Sequence, residues 1–466
     1  MNTTEFGAGA RLLVIGLGRS GQATAEVLRA RGASITVVDE KPCTELREAI
    51  DRITSVGAAF VEPDALPTTL QSVDAAIVSP GVPLTGALVR AVQQANVPVY
   101  SEIEVAYRLS QAPMIAVTGT KGKSTTTSLI AHMLRCAGLS VRVGGNIGNP
   151  LIAEVADGAL GTWIVAEVSS FQLESIRSFH PKIAVILNIA PDHLDRYHSM
   201  EEYAEAKYRI FANQNEHDVF IGNLDDERLA TLHWLRGSDR VRARQLWFTC
   251  EAEHRQAAMY VQQDVLTYAP VAGDPRPLAM IPCSQIPLPG QHSVQNVMAA
   301  SLAALAAGAD FSRVAEAIRS FSPMAHRLST VAEIDGVTYV DDSKATNPTA
   351  AIAALHAFER PVILIAGGRS KNTDFTELAH AIDERAKAAV LIGEAAPDLA
   401  AHLHESVVKR ASSMDEAVAA AREIAVAGDV VLLSPACASF DMFSSAEDRG
   451  RQFSAAVLQA AEPARR

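Results

Sequence analysis

A glycine-bearing turn, Gly119-Thr120-Lys121-Gly122-Lys123-Ser124-Thr125, lies between an apolar run at residues 114–117 and a helical pattern over residues 124–137. Strand, glycine turn and helix in that order set backbone amides around a polyphosphate, with the lysine at the β- and γ-phosphates and the next hydroxyl at Mg²⁺. Gly119, Thr120, Lys121, Gly122, Lys123, Ser124 and Thr125 are therefore candidate ATP-binding residues, with Lys123 a candidate catalytic cation and Ser124 a candidate metal ligand. The strict phosphate-loop pattern has a glycine where Val117 stands, so this is a shortened variant. Gly-Lys-Ser alone is common by chance; its place between a strand and a helix gives it weight. Two polar groups close later strand-like runs: Glu167 after residues 163–166, and His193 in Pro191-Asp192-His193-Leu194-Asp195-Arg196. Strand ends beside a phosphate loop are where Mg²⁺ ligands belong, so both are candidates for the metal or its water shell. Lys207, taken alone, reads as a solvated helix lysine.

A second glycine turn opens the chain: Gly16-Leu17-Gly18-Arg19-Ser20-Gly21 follows the apolar residues 11–15 and precedes a helical stretch over residues 22–31. Asp39 ends the next strand-like run. The pattern satisfies a dinucleotide fingerprint, with amides near a phosphate and a carboxylate for a ribose or base. The glycines do not specify which nucleotide. A nicotinamide-dependent oxidoreductase is one reading of this turn, but it leaves the second phosphate loop unexplained. A phosphate-loop binding module without catalysis is another.

These residues need a scaffold, and the rest of the sequence supplies one. The chain has 466 residues, too many for one core. Lys and Arg total 41 against 53 Asp and Glu, a formal charge of −12, which disfavours nucleic acid and anionic membranes as partners. Phosphate must then be held by a local cluster of donors. No apolar run is long enough to span a bilayer, no leader pattern opens the chain, and five scattered cysteines fit a reducing cytoplasm. Short apolar runs alternate with amphipathic stretches throughout: residues 33–38, 75–78, 97–100, 183–187, 361–366, 388–392 and 429–433 read as strands, and 375–387 as a helix. Residues 331–340 read as a hairpin turning at Asp335-Gly336. Residues 229–289 have weaker periodicity and are expected to be irregular α/β or β structure. The alternation predicts an α/β fold of mostly parallel sheets, with ligands at the carboxyl ends of strands.

Several segments together resemble the Mur ligase family. They are the phosphate loop, Gly145-Asn146-Ile147-Gly148, Glu167-Val-Ser-Ser-Phe-Gln-Leu173, Asp192-His193-Leu-Asp-Arg-Tyr197, Asp341-Asp342-Ser343-Lys344-Ala345-Thr346-Asn347 and Leu433-Ser-Pro-Ala-Cys-Ala-Ser439-Phe-Asp441. The match runs in the family's order from Gly16 to Phe453. The resemblance implies three domains: a Rossmann-like UDP-substrate domain (1–110), a central P-loop ATPase domain (111–321) and a Rossmann-like amino-acid domain (322–466). It implies an ATP-dependent, cytoplasmic and monomeric acid–amino-acid ligase of peptidoglycan biosynthesis. The Ser343-Lys344-Ala345 segment points to the branch that joins D-glutamate to UDP-N-acetylmuramoyl-L-alanine through an acyl phosphate. A sibling ligase with another amino acid or a folate substrate is the nearest rival.

Roles follow from the resemblance position by position. Gly18, Arg19, Ser20, Asp39, Ser79, Gly81 and Asn146 would hold the UDP substrate. Asn296, Arg327 and Asp342 would meet adenine, γ-phosphate and ribose. Ser124 and Glu167 would hold one Mg²⁺, and His193 with Lys207 a second, with Lys207 carbamylated; Lys123, Lys207 and His193 form the implied catalytic set. Lys344, Thr346, Lys371, Ser439 and Phe443 would surround the glutamate. Two departures stand out. The family's Gly-x-His-Asn-x-x-Asn is here Gly290-Gln-His292-Ser293-Val-Gln-Asn296, and an aromatic common seven residues after the Ser439 position is Ala446, for which Phe443 is the nearby substitute.

Overall fold

Runs of Leu, Ile, Val and Ala build three sheets in a computed structural model that describes residues 5–157, 160–192, 196–234, 240–251, 257–269, 276–322, 325–370, 373–404 and 408–461. Contacts divide the chain into two compact units, Met1–Gln285 with Gln295–Ser320, and Ile286–Val294 with Phe321–Arg466.

The first unit holds two sheets. The smaller comprises β1 (Arg11–Ile15), β2 (Ser34–Val38), β3 (Ala59–Val61), β4 (Ala75–Val78) and β5 (Val99–Ser101), ordered β3-β2-β1-β4-β5 and parallel throughout. Chain order reverses between β1 and β4, so their carboxyl ends form a crevice where ligands collect. The larger sheet comprises β6 (Met114–Thr118), β7 (Val141–Gly145), β8 (Trp163–Glu167), β9 (Ile183–Ile186), β10 (Val219–Asn223), β11 (Arg244–Thr249), β12 (Met259–Gln262), β13 (Val265–Tyr268) and β14 (Leu278–Pro282). Its order is β14-β13-β12-β11-β10-β9-β6-β8-β7, and here the reversal brackets β6, the strand before the phosphate loop. The weakly periodic residues 229–289 form β11 to β14, the last three antiparallel at one edge. Their hairpin turns at Gln263-Asp264, both at positive φ (+50° and +61°). That geometry favours Asn-Gly or Asp-Gly, so Gln-Asp gives no turn signal in the sequence.

The second unit holds β15 (Ser329–Ile334), β16 (Val337–Asp341), β17 (Val362–Gly367), β18 (Ala386–Ile392), β19 (Val408–Arg410) and β20 (Val430–Ala436), ordered β15-β16-β20-β17-β18-β19. Only β15 runs antiparallel, and its hairpin turns at Asp335-Gly336 as the sequence predicts, with φ of +54° and +78°. Apolar clusters cover both faces, one around Leu364, Leu391 and Leu432, the other around Ile365, Val390 and Phe453.

One continuous apolar cluster links the two sheets of the first unit, running from Leu12 and Ile35 through Ile103 and Leu109 to Ile164 and Ile186. The helix Glu102–Leu109 carries this link, and its two buried glutamates fasten it. The Glu104 carboxylate accepts from the amides of Arg177, Ser178 and Phe179 and from Arg108 Nε (2.7 Å). Burial pushes Glu104 upward, but those bonds outweigh it and leave the carboxyl below its ordinary range. Glu102 Oε1 accepts from the Ile152 amide (2.7 Å), while its Oε2 has no partner among the described residues. Burial, opposed in part by the Ile152 and Leu151 amides, pushes Glu102 up to about 7.

A group whose folded pKa lies above its unfolded value keeps its proton in the folded state while the unfolded chain releases it, so stability is lost as pH rises through the folded pKa. Glu102→Gln keeps an acceptor and does not titrate. The variant should therefore gain on the wild type as pH rises from about 5 to about 8, by the order of 3 kcal/mol. Urea unfolding at a series of pH values checks this; parallel stability curves would refute it.

Candidate active site

The phosphate loop leaves β6 through Gly119 (φ +153°) and enters the helix Lys123–Cys136 at Gly122 (φ +81°). A side chain at Gly122 could not be accommodated, because a Cβ there would sit 2.2 Å from Asn296 Oδ1. Asn296 is buried, and it also accepts from Thr126 Oγ1 (3.3 Å), which brings it against the loop. Asn188, just past β9, clamps the other side: Oδ1 accepts from the amides of Thr120 (3.1 Å) and Lys121 (2.9 Å), and Nδ2 donates to the Lys121 carbonyl. Lys123 Nζ donates to the carbonyls of Gly119 (2.9 Å) and Thr120 (2.8 Å).

Lys207 is no solvated helix lysine. It is 1% exposed, its Nζ donates to the same Gly119 carbonyl (3.0 Å), and it lies 4.4 Å from the centroid of the Tyr203 ring. Burial first, and then the charge of Lys123, hold its ammonium well below the ordinary lysine range, against a smaller opposing pull from Asp192. A lysine whose ammonium is disfavoured in this way is more readily available as a nucleophilic amine than a solvated one. Tyr203 adds a hydroxyl contact to Thr120 Oγ1 (3.2 Å), tying this helix to the loop.

Glu167 ends β8 beside the loop and is 2% exposed. Its Oε1 accepts from Asn146 Nδ2 (2.7 Å), and its Oε2 is buried with no hydrogen-bond partner among the described residues. A buried carboxylate oxygen left unpaired, with the Ser124 hydroxyl in the first helical turn, suits a hard divalent cation completed by phosphate oxygens and water. His193 lies outside the described residues.

At the β1–β4 crevice, Gly16 (φ +93°) starts the turn, and a Cβ on Gly21 would lie 1.9 Å from the Gly16 carbonyl oxygen. Only glycine lets the helix Arg19–Ala30, which starts earlier than the expected residue 22, pack on this turn. Asp39 accepts from the amides of Leu17 (2.6 Å) and Lys41 (2.9 Å), and Ser79 Oγ donates to the Gly16 carbonyl (2.9 Å). Both side chains thus shape the turn itself. Gly18 caps the helix with open space around it, Ser20 lies in its first turn, and Gly81 also has open space. Arg19 reaches the Gly148 carbonyl (2.9 Å), joining this crevice to the loop that carries Asn146.

In the second unit, Asp342 follows β16 and is buried, accepting from Ser434 Oγ (2.9 Å) and the Leu328 amide. Burial pushes its carboxyl up to about 7, with the Arg327 charge among the opposing influences. Lys344 pairs with Glu447, and that bond holds the Glu447 carboxyl down to about 2. Thr346 is exposed, and Ser439 is buried, its carbonyl accepting from the amides of Met442 and Phe443. Phe443 packs into the core with Phe453 and Val457, so its ring belongs to the core rather than to an open site. Lys371 lies outside the described residues.

Three family models cover the chain: "Mur ligase MurD-like, N-terminal domain" at residues 10–101, "Mur ligase middle domain" at 117–304 and "Mur ligase, glutamate ligase domain" at 326–437. A UDP-N-acetylmuramoylalanine--D-glutamate ligase of Pelotomaculum thermopropionicum is 43% identical over 452 residues, 96% of this chain and 97% of that protein. The chain belongs to the Mur ligase family. A ligase of the same name from Koribacter versatilis is 41% identical over 97% of this chain and 98% of its own length. Among solved structures, the MurF ligase of Thermotoga maritima in complex with ADP superposes with a TM-score of 0.58 at 15% identity, over 92% of this chain and 96% of that one. A pseudomurein peptide ligase type C from Methanothermus fervidus gives 0.58 at 18% identity, over 97% and 100%. These last two establish a shared fold, the three-domain α/β architecture of Mur ligases.

Several residues that hold each unit together carry little local signal. Asn188, Tyr203, Glu102 and Glu104 act across long sequence separations. Arg449 is a fully buried arginine whose guanidinium donates to Ser343 Oγ (2.9 Å), the Ser343 carbonyl (2.8 Å) and the Cys437 carbonyl (3.1 Å), with burial lowering it to about 10. The terminal polar residue of a strand beside a phosphate loop is the one cue that could have raised Asn188.

Asn188→Ala should weaken ATP binding about tenfold, since it leaves two loop amides without their side-chain acceptor. Calorimetric titration with an ATP analogue tests it, with UDP-sugar affinity as the internal control. An unchanged ATP affinity would remove the clamp from this account.

Proposed function

We propose that this chain joins D-glutamate to UDP-N-acetylmuramoyl-L-alanine, with ATP activating the alanyl carboxylate as an acyl phosphate, in the cytoplasm and as a monomer. The near-full-length identity to ligases of that name carries the reading. The domains proposed are 1–110 for the UDP substrate, 111–321 for ATP and 322–466 for the amino acid.

The chemical difficulty is repulsion between a carboxylate and a polyphosphate, and positioned positive charge is the general remedy. Lys123, with the loop amides from Gly119 to Thr125, would hold the phosphates, and Arg327 would add a second fixed cation at the γ-phosphate. Asn296 and Asp342 would take the adenosine. Gly18, Arg19, Ser20, Asp39, Ser79, Gly81 and Asn146 would seat the UDP group, exchanging some of their present hydrogen bonds for ligand ones. Ser124 with Glu167 fits one Mg²⁺, and His193 with Lys207 would serve a second; bound there, such ions supply Lewis-acid charge. The depressed Lys207 pKa supports carbamylation: the neutral amine bonds to the carbon of CO₂, loses a proton, and gains an anionic oxygen donor. Lys344, Thr346, Lys371 and Ser439 would receive glutamate, whose amine attacks the acyl carbonyl as phosphate leaves.

Phosphate release should require ATP, Mg²⁺, UDP-N-acetylmuramoyl-L-alanine and D-glutamate together, and Lys123→Ala should lower it about a thousandfold. Preference for L-glutamate would keep the mechanism and reassign the amino acid. A Lys123→Ala protein with near-normal turnover would overturn the proposal.

A further inference from the structure

The second unit presents its candidate glutamate-binding lysine already holding a carboxylate. Lys344 Nζ donates to Glu447 Oε1, with Lys344 33% and Glu447 47% exposed. The main chain around Lys344 is fixed: the Lys344 amide donates to the His326 carbonyl (3.1 Å), that of Ala345 to Asp342 (2.8 Å), and that of Ser343 to Asp341 Oδ1 (2.9 Å). Glu447 is equally placed, because it lies in the first turn of the helix Ala446–Ala461. Ser343 Oγ donates to the Ala446 carbonyl (2.7 Å), and Arg449 grips Ser343 from the next turn. Two rigid backbones therefore face each other through one flexible ion pair.

We propose that Glu447 is an internal stand-in for a substrate carboxylate, keeping Lys344 oriented until the incoming amino acid's carboxylate displaces it, so that Glu447 sets the apparent affinity for glutamate. The inference rests on the reading of Lys344 as a glutamate-binding residue. An exposed or half-exposed pair contributes little net stability, because each charge regains water when separated. A competing carboxylate of the same chemistry can thus replace it at small cost. The displaced Glu447 also leaves a negative charge near the entering substrate's carboxylate, which opposes binding and sharpens the requirement for a strong Lys344 contact.

The test is steady-state phosphate release by the full-length protein, with D-glutamate varied and the other substrates saturating, for Glu447→Gln, Lys344→Gln and the double variant. Glu447→Gln should lower the KM for D-glutamate at least threefold and leave the KM for the UDP substrate unchanged. Lys344→Gln should raise the D-glutamate KM tenfold or more, and adding Glu447→Gln to it should change nothing further, since the competition acts through Lys344. Glu447→Asp, which keeps the charge one methylene back, guards against a folding artefact and should stay near wild type. A D-glutamate KM that is unchanged or raised in Glu447→Gln, with Lys344→Gln still impaired, would overturn the stand-in while sparing the site. A normal D-glutamate KM in Lys344→Gln would overturn the role given to Lys344 and the stand-in with it. Wild-type protein inactive with D-glutamate would overturn the proposed function.

Discussion

Two lysine side chains donate to one carbonyl oxygen, that of Gly119: Lys123 from the loop's own helix at 2.9 Å and Lys207 from a distant helix at 3.0 Å. Two ammonium ions at one acceptor repel strongly in a buried setting, and the charged form is disfavoured most in the more buried member. Lys207 is that member. This constraint distinguishes the two groups: the buried Lys207 is the one whose ammonium is held well below the ordinary lysine range, by burial first and then by the charge of Lys123. It also requires the helix Met200–Tyr208 to be locked against the loop, which Tyr203 accomplishes by covering the Lys207 amine and touching Thr120.

Around that centre the protein solves an electrostatic problem with local means. With a formal charge of −12, the chain has no global attraction for an anionic substrate. Affinity must come from amides aimed inward, and amides aim inward only where glycine permits the backbone to turn. Gly119 and Gly122 do so at the phosphate loop, and Gly16 at the first crevice. A neighbouring carboxylate is correspondingly restrained. At the first crevice Asp39 is engaged by the amides of Leu17 and Lys41, so its negative charge is partly compensated within the turn.

What was legible in the sequence is what is encoded locally. The strand before each glycine turn, the Asp335-Gly336 hairpin and the order of motifs follow from runs of a few residues, and their positions match. The Gln263-Asp264 turn was illegible because its residues accept a backbone shape without advertising it. Tyr203, Glu102 and Glu104 were hard to read for another reason, and Asn188 beyond its strand-end position: each also acts through partners tens of residues away, so no short window contains the whole interaction. Lys207 shows the same effect. Its helical context suggests solvent, and only the packed loop reveals burial. Phe443, read as the substitute for the aromatic that Ala446 replaces, has its ring packed in the core cluster with Phe453 and Val457, a placement no short stretch of sequence specifies.

The polar side chains at these sites are already committed to protein partners of the same chemical kind as a ligand would offer. Lys123 holds carbonyl oxygens where phosphate oxygens would serve, Arg19 holds the Gly148 carbonyl, and Asn146 holds Glu167. Such bonds fix rotamers before binding, so less side-chain entropy is lost when a ligand arrives. They also mean that binding exchanges one hydrogen bond for another and gains little from each exchange. Net gain must then come from groups that begin unsatisfied. Among the described residues of the first unit, Glu167 Oε2 is such a group, a buried carboxylate oxygen at the end of β8 without a donor. A divalent cation at Glu167 Oε2 would meet an oxygen that holds no protein hydrogen bond, so its binding there would displace none at that atom.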